Sequence, residues 1–123
     1  MSQPPESAHR LFEDRFNAGD LDGMLALYED GATFVRGAND YVTGTAALGA
    51  GLQAFLGTRG KIRLETRYAV QHGDLALLSN EWTLTGTGDD GQPFTSTGRT
   101  VEVVRRQPDG RWLYVIDHPW GAD

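Results

Sequence analysis

Two ionisable side chains stand side by side near the end of the chain, Asp117 and His118 in "WLYVIDHPWGAD", where an apolar run gives way to Pro119. An acid beside an imidazole suggests proton transfer. If the run is a strand, however, adjacent residues point to opposite faces and cannot form a simple dyad. His118 shares parity with Trp112, Tyr114 and Ile116 and is expected to look outward, at a dimer surface. Asp117 needs another partner. A count about the turn centre near Asp109 sets Glu102 opposite residue 116, one step from Asp117. Two carboxylates at that range push one pKa upward and supply an acid or a base. The plainer alternative is that Glu102 pairs with Arg105 or Arg106 on a solvated rim.

Other chemistries find no constellation. There is no cysteine, which removes disulfides, thiolate nucleophiles and zinc–thiolate sites. His9, expected on the polar side of a helix, His72 in a turn and His118 are too scattered for a metal site; no His-x-His or His-x-x-x-His spacing exists. There is no Gly-x-Ser-x-Gly elbow, and "GTAALGAG" lacks the lysine of a phosphate loop. No cofactor is expected. A net charge of −6 argues against nucleic acid, whose phosphates require a basic face. No run approaches the roughly 20 apolar residues of a membrane span. The start, "MSQPPESAHR", lacks an apolar signal core, so residues 1–6 are expected to be a flexible lead and the protein cytoplasmic.

The elements that must position these groups follow from periodicity. Ala8, Leu11, Phe12 and Phe16 mark one face of a first helix, which "NAGD" stops. Leu21, Met24, Leu25 and Tyr28 mark a second, capped by Asp20. "ATFVRG" reads as a short strand and "ANDYVTG" as a loop or small extra strand. A third helix follows Thr45, with Leu48, Leu52, Phe55 and Leu56 inward. From Lys61 the period becomes 2. "KIRLETRYAVQ", "LALLSNEWTLTG", "FTSTGRTVEVVRR" and "RWLYVIDH" read as four strands joined by the turns "HGD", "DDGQP" and "PDG". The pattern predicts a single α+β domain over residues 1–123, one strongly curved antiparallel sheet wrapped on three helices.

Longer strings carry a family likeness. "FNAGDLDGMLALYEDGATF" followed by "YVTGTAALGAGLQAFL" resembles the first half of ketosteroid isomerase and its relatives. "GRTVEVVRRQPDGRWLYVIDHPWG" resembles the closing hairpin of SnoaL-like and related nuclear-transport-factor-2-like proteins. The resemblance implies a cone-shaped, cystatin-like fold enclosing an apolar pocket, usually in a homodimer. It does not imply a reaction, because the same cone hosts isomerases, cyclases, dehydratases, hydrolases and binders.

Matched without gaps to the isomerase pattern, the donor tyrosine falls at Phe12, which has no hydroxyl. The base falls at Arg36, which stays protonated, and the acidic donor near Glu102. The steroid isomerase mechanism is therefore not expected. In that register Arg36, Glu102 and Asp117 all face the concave side, with Arg36 either neutralising the acids or holding an anionic ligand. Phe12, Phe16, Tyr28, Phe34, Phe55, Asn80 and Trp82 are the candidate pocket wall. The expected function is cofactor-independent acid–base chemistry on a small organic molecule, of isomerase, cyclase or hydratase type, in a homodimer formed through the sheet. The alternative is a non-catalytic ligand-binding or dimerisation module of the same fold.

Overall fold

A computed structural model describes residues 3–123. Helix α1 (Ser7–Asn17) buries Ala8, His9 and Phe16. It ends where Gly19 takes φ +68°, a left-handed conformation that costs glycine little. Asp20 then caps α2 (Leu21–Leu25) by accepting the Gly23 N–H at 2.9 Å. Tyr28 was expected on the inward stripe of this helix. It instead opens β1 (Tyr28–Gly37), against which β2 (Asp40–Thr43) folds back. The reason is pairing: Tyr28 lies beside Tyr114, and the Tyr114 N–H donates to the Leu27 carbonyl at 2.8 Å.

Helix α3 (Thr45–Leu56) follows, then β3 (Lys61–His72), β4 (Leu75–Thr87), β5 (Pro93–Arg99), β6 (Val101–Arg106) and β7 (Trp112–His118). The sheet order is β2-β1-β7-β6-β4-β3, with β5 paired to β4. The sheet is curved and open, an α+β architecture, but not wholly antiparallel: β1 and β7 run parallel. That joint pairs strands from opposite ends of the chain, so no hairpin turn dictates its direction. Of the expected flexible lead, residues 1 and 2 lie outside the described residues. Residues 3–6 are tied down, since Pro5 is buried and the Gln3 carbonyl accepts the Trp112 indole N–H at 2.8 Å. No helix among the described residues is long and apolar enough to cross a membrane.

Two irregularities shape the sheet. The expected single strand over 94–106 breaks at Thr100. Before it, Glu81–Thr87 of β4 pair with β5; beyond it, Leu75–Leu78 pair with β6. At the break the Thr100 hydroxyl accepts the Asn80 N–H at 2.9 Å, and the Thr100 N–H donates to the Asn80 carbonyl at 2.9 Å. A side chain thus replaces one ladder bond, and the sheet bends there. The second irregularity is on β7, where Val103 faces Ile116 but Val104 faces Tyr114, leaving Val115 as an extra residue.

The helices cover the concave face. Met24, Leu48, Leu52, Leu78, Val104 and Tyr114 are fully buried between them and the sheet, each worth roughly 1.5–3 kcal/mol. Trp82 crosses the sheet toward Gly98, its cross-strand partner, and its indole N–H donates to the Pro119 carbonyl at 2.7 Å. A Cβ at position 98 would lie 2.6 Å from that ring. Gly98→Ala therefore overpacks the site and should cost about 1–3 kcal/mol, lowering the thermal midpoint by several degrees in a circular-dichroism melt. An unchanged midpoint would show that the indole yields without cost.

Candidate functional site

The Thr100 break and the Val115 bulge gather the polar side chains of Asn80, Thr100, Glu102, Tyr114 and Asp117 at one cavity. Glu102 lies directly opposite Asp117 across the β6–β7 ladder, one residue nearer than the hairpin count suggests. Both are buried, so the solvated-rim alternative for Glu102 does not hold. Arg105 and Arg106 pair instead with Glu29 and Asp74. The bulge also revises the parity argument: Tyr114 and Asp117, three residues apart, both line the cavity described below. His118 faces the other way with Ile116, as parity requires, and its ring accepts the Trp120 N–H at 3.3 Å.

Three donors converge on the Glu102 carboxylate. The His9 ring reaches Oε2 from α1 with Nε2 at 3.0 Å, and the Asn80 amide nitrogen reaches the same oxygen at 3.3 Å. The Thr100 hydroxyl donates to Oε1. His9 is 3% exposed, not solvated as its place among polar neighbours suggested. Its Nδ1 lies 2.9 Å from the Thr66 hydroxyl, which fixes the ring between β3 and β6. A signal existed in the sequence: His9, Phe12 and Phe16 stand at i, i+3 and i+7, one side of a helix.

Asp117 has a different environment. Tyr28 donates its hydroxyl to Oδ2 at 2.6 Å. Burial first, and then the adjacent Glu102 charge, raise the Asp117 pKa to about 7, against the opposing pull of the Tyr28 hydrogen bond and His9. Burial, followed by the charges of the two acids, holds the Tyr114 phenol well above its ordinary value, so it remains an O–H donor at neutral pH. Tyr28 is raised for the same leading reason, with Asp117 next.

These groups border a cavity of about 40 Å³, enough for about three water-sized groups. Phe12, Phe16, Phe34, Phe55, Asn80 and Trp82 line it, together with Glu102 and Asp117. Thr100 and Tyr114, which sequence reading missed, line it too. Tyr28 stands behind Asp117 rather than in the wall. Arg36 is elsewhere. Its side chain is 52% exposed and forks onto Asp40 at 2.7 and 3.1 Å, so it neither neutralises the acids nor reaches a ligand here. The cause is local: Asp40 opens β2 just past the hairpin turn and meets Arg36 at that end of the hairpin.

A SnoaL-like domain model matches residues 8–115. The chain belongs to the SnoaL-like family. Among curated proteins, none matches it. A solved structure described as a calcium/calmodulin-dependent protein kinase type II association domain, from Thiobacillus denitrificans, is similar at 25% identity and a TM-score of 0.75. That match covers 96% of this chain and 94% of the other. A ketosteroid isomerase-like protein from Erwinia carotovora atroseptica is similar at 19% identity and 0.78, over 93% and 90%. An NTF2-like protein with a cystatin-like fold from Novosphingobium aromaticivorans is similar at 16% and 0.74, over 92% and 76%. Neighbours described so differently show the fold and do not by themselves indicate a reaction.

The acid pair has a consequence for stability. A carboxyl raised from 3.8 to about 7 keeps, when folded, a proton that the unfolded chain releases. Folding stability therefore falls as pH rises through that window, and the penalty is complete above about 7. Asp117→Asn removes it. The variant should melt several degrees above wild type at pH 8, with the gap closing toward pH 4; a gap independent of pH would contradict the assignment.

Proposed function

We propose that this SnoaL-like protein is a cofactor-independent acid–base catalyst that moves a proton on a small organic molecule, in the manner of an isomerase, cyclase or hydratase. The observation that carries the reading is the direct cross-strand pair of Glu102 and Asp117 at an apolar cavity, with Asp117 tuned to about 7. A group near neutrality both takes and returns a proton efficiently. The unequal hydrogen bonding divides the labour. Three donors reach the Glu102 carboxyl, while Asp117, with one donor on Oδ2, carries the mobile proton. The neutral Tyr114 phenol supplies an O–H to charge developing on a substrate oxygen. Arg36 has no part in this scheme.

The test is solvent-deuterium uptake into small carbonyl probes, followed by mass spectrometry. Uptake should rise through pH about 7 as Asp117 ionises, then level off. Asp117→Asn should lower it at least a hundredfold, in keeping with the usual worth of a general base. Glu102→Gln should shift the inflection to lower pH, because it removes a charge that raises Asp117. Uptake indifferent to both substitutions would defeat the proposal.

A non-catalytic module of the same fold is the second reading, favoured by the small resting cavity. Either reading includes a homodimer formed through the sheet. Tyr68, Val70, Leu75, Leu77 and Ile116 are exposed, with Val70 at 59%. Pairing aligns Val70 with Leu77, Leu77 with Val103, and Val103 with Ile116 on the face away from the helices. Such an apolar patch marks an interaction surface. Light scattering should give twice the chain mass for wild type, and the monomer for Val70→Asp combined with Leu77→Glu.

A further inference from the structure

One buried polar atom of a residue that lines the cavity has no hydrogen-bond partner. Among the described residues, Asn80 Oδ1 is the only buried side-chain nitrogen or oxygen that lacks a hydrogen bond. Asn80 is 2% exposed and lines the cavity. The neighbours fix its orientation. The amide nitrogen faces Glu102 Oε2 at 3.3 Å, where the amide oxygen would instead meet a carboxylate, so turning the group over is unfavourable. The backbone beneath is pinned at the Thr100 break by the 2.9 Å bond from the Asn80 N–H. Oδ1 is thus a fixed acceptor left unfilled. Buried acceptors are nearly always paired, and one held rigidly at an apolar cavity selects guests that bring a donor.

Charge narrows the guest further. The two ionisable carboxyls in the lining are Glu102 and Asp117, and no Lys or Arg lines the cavity. His9 directs Nε2 to Glu102 and Nδ1 to Thr66, so it offers no donor to an anion. The remaining wall is largely aromatic and aliphatic. An anionic guest would lose its hydration and meet carboxyl groups with no Lys or Arg in the wall to offset them.

We infer that Asn80 Oδ1 is the specificity-determining group of this cavity, and that the ligand is a small neutral or cationic molecule with an apolar body and a hydroxyl or amino donor. The inference rests on the acid–base reading for the identity of the site, and not for the reaction. A ketone of the same shape leaves Oδ1 unpaired and binds less tightly. A carboxylate is rejected.

The test compares four probes of four heavy atoms each, 2-propanol, isopropylamine, acetone and acetate, following the Asn80 side-chain amide in nitrogen–proton correlation spectra. The alcohol and the amine should move that resonance and bind at least tenfold more tightly than the ketone; the carboxylate should give no saturable shift. Asn80→Leu should equalise alcohol and ketone, and the wild-type series decides the matter if that variant does not fold. A ketone as tight as the alcohol, a carboxylate bound at Asn80, or no shift with any of the four (a water as the sole occupant) would each overturn the inference. Repeating the series in Asp117→Asn separates it from the catalytic reading. An alcohol preference that persists while deuterium uptake is also unaffected defeats the catalytic proposal alone. Lost uptake with no alcohol preference defeats this one alone.

Discussion

The structure turns on a carboxylate buried where the sheet bends. Glu102 sits one strand from Asn80, two residues beyond the Thr100 break, and beneath His9 of α1. An isolated buried carboxylate is costly, and the cost is met only if donors surround it. The break, the helix docking and the cross-sheet amide each supply one. Helix α1 is thereby fastened to the sheet by a polar contact as well as by Phe16, and Thr66 of β3 completes the line of contacts through His9.

The Asp117 environment follows from that anchoring. The Glu102 charge acts on the acid directly opposite it across the two-strand ladder. Burial removes the water that would screen it. Tyr28 supplies a single compensating bond, and its own position depends on β1 leaving α2 early to join β7 in parallel. The parallel joint, a topological detail, therefore bears on the proton affinity of Asp117. Glu102 and Asp117 have the same chemistry and differ in hydrogen-bonding supply, with three partners on one carboxyl and one on the other.

The cavity is narrow because aromatic rings close it. Phe55 packs edge-on to Phe34 and Trp82, and Trp120 folds back against Phe55 and Trp82 at ring separations of 6.1 and 6.2 Å. Wall and core are the same side chains, so the fold forms a small apolar space beside its polar end rather than an open cleft. On the opposite side of the sheet, Val70, Leu77, Val103 and Ile116 leave an apolar surface that the helices do not cover.

Periodicity and turn chemistry were sufficient for the helix on 7–17, the helix after Thr45, the strands from Lys61 onward except the break at Thr100, and the aromatic residues of the wall. These are local properties, set by a side-chain period and by turn residues. The pairing of Glu102 with Asp117 was legible to within one residue, because a hairpin count is also nearly local. Tertiary structure decided what depends on distant partners. Val115, an apolar residue among apolar residues, becomes a bulge only when β6 and β7 are matched, and that bulge brings Tyr114 to the side of Asp117. His9 is buried only because Glu102, 93 positions away, offers it an acceptor. Arg36 leaves the concave side because Asp40, at the start of the next strand, captures its guanidinium at the surface. Sequence thus determined which residue types reach the neighbourhood of the site, since facing and period are written along one strand or helix. The fold decided which of them touch, since a buried charge takes its donors from wherever the chain returns.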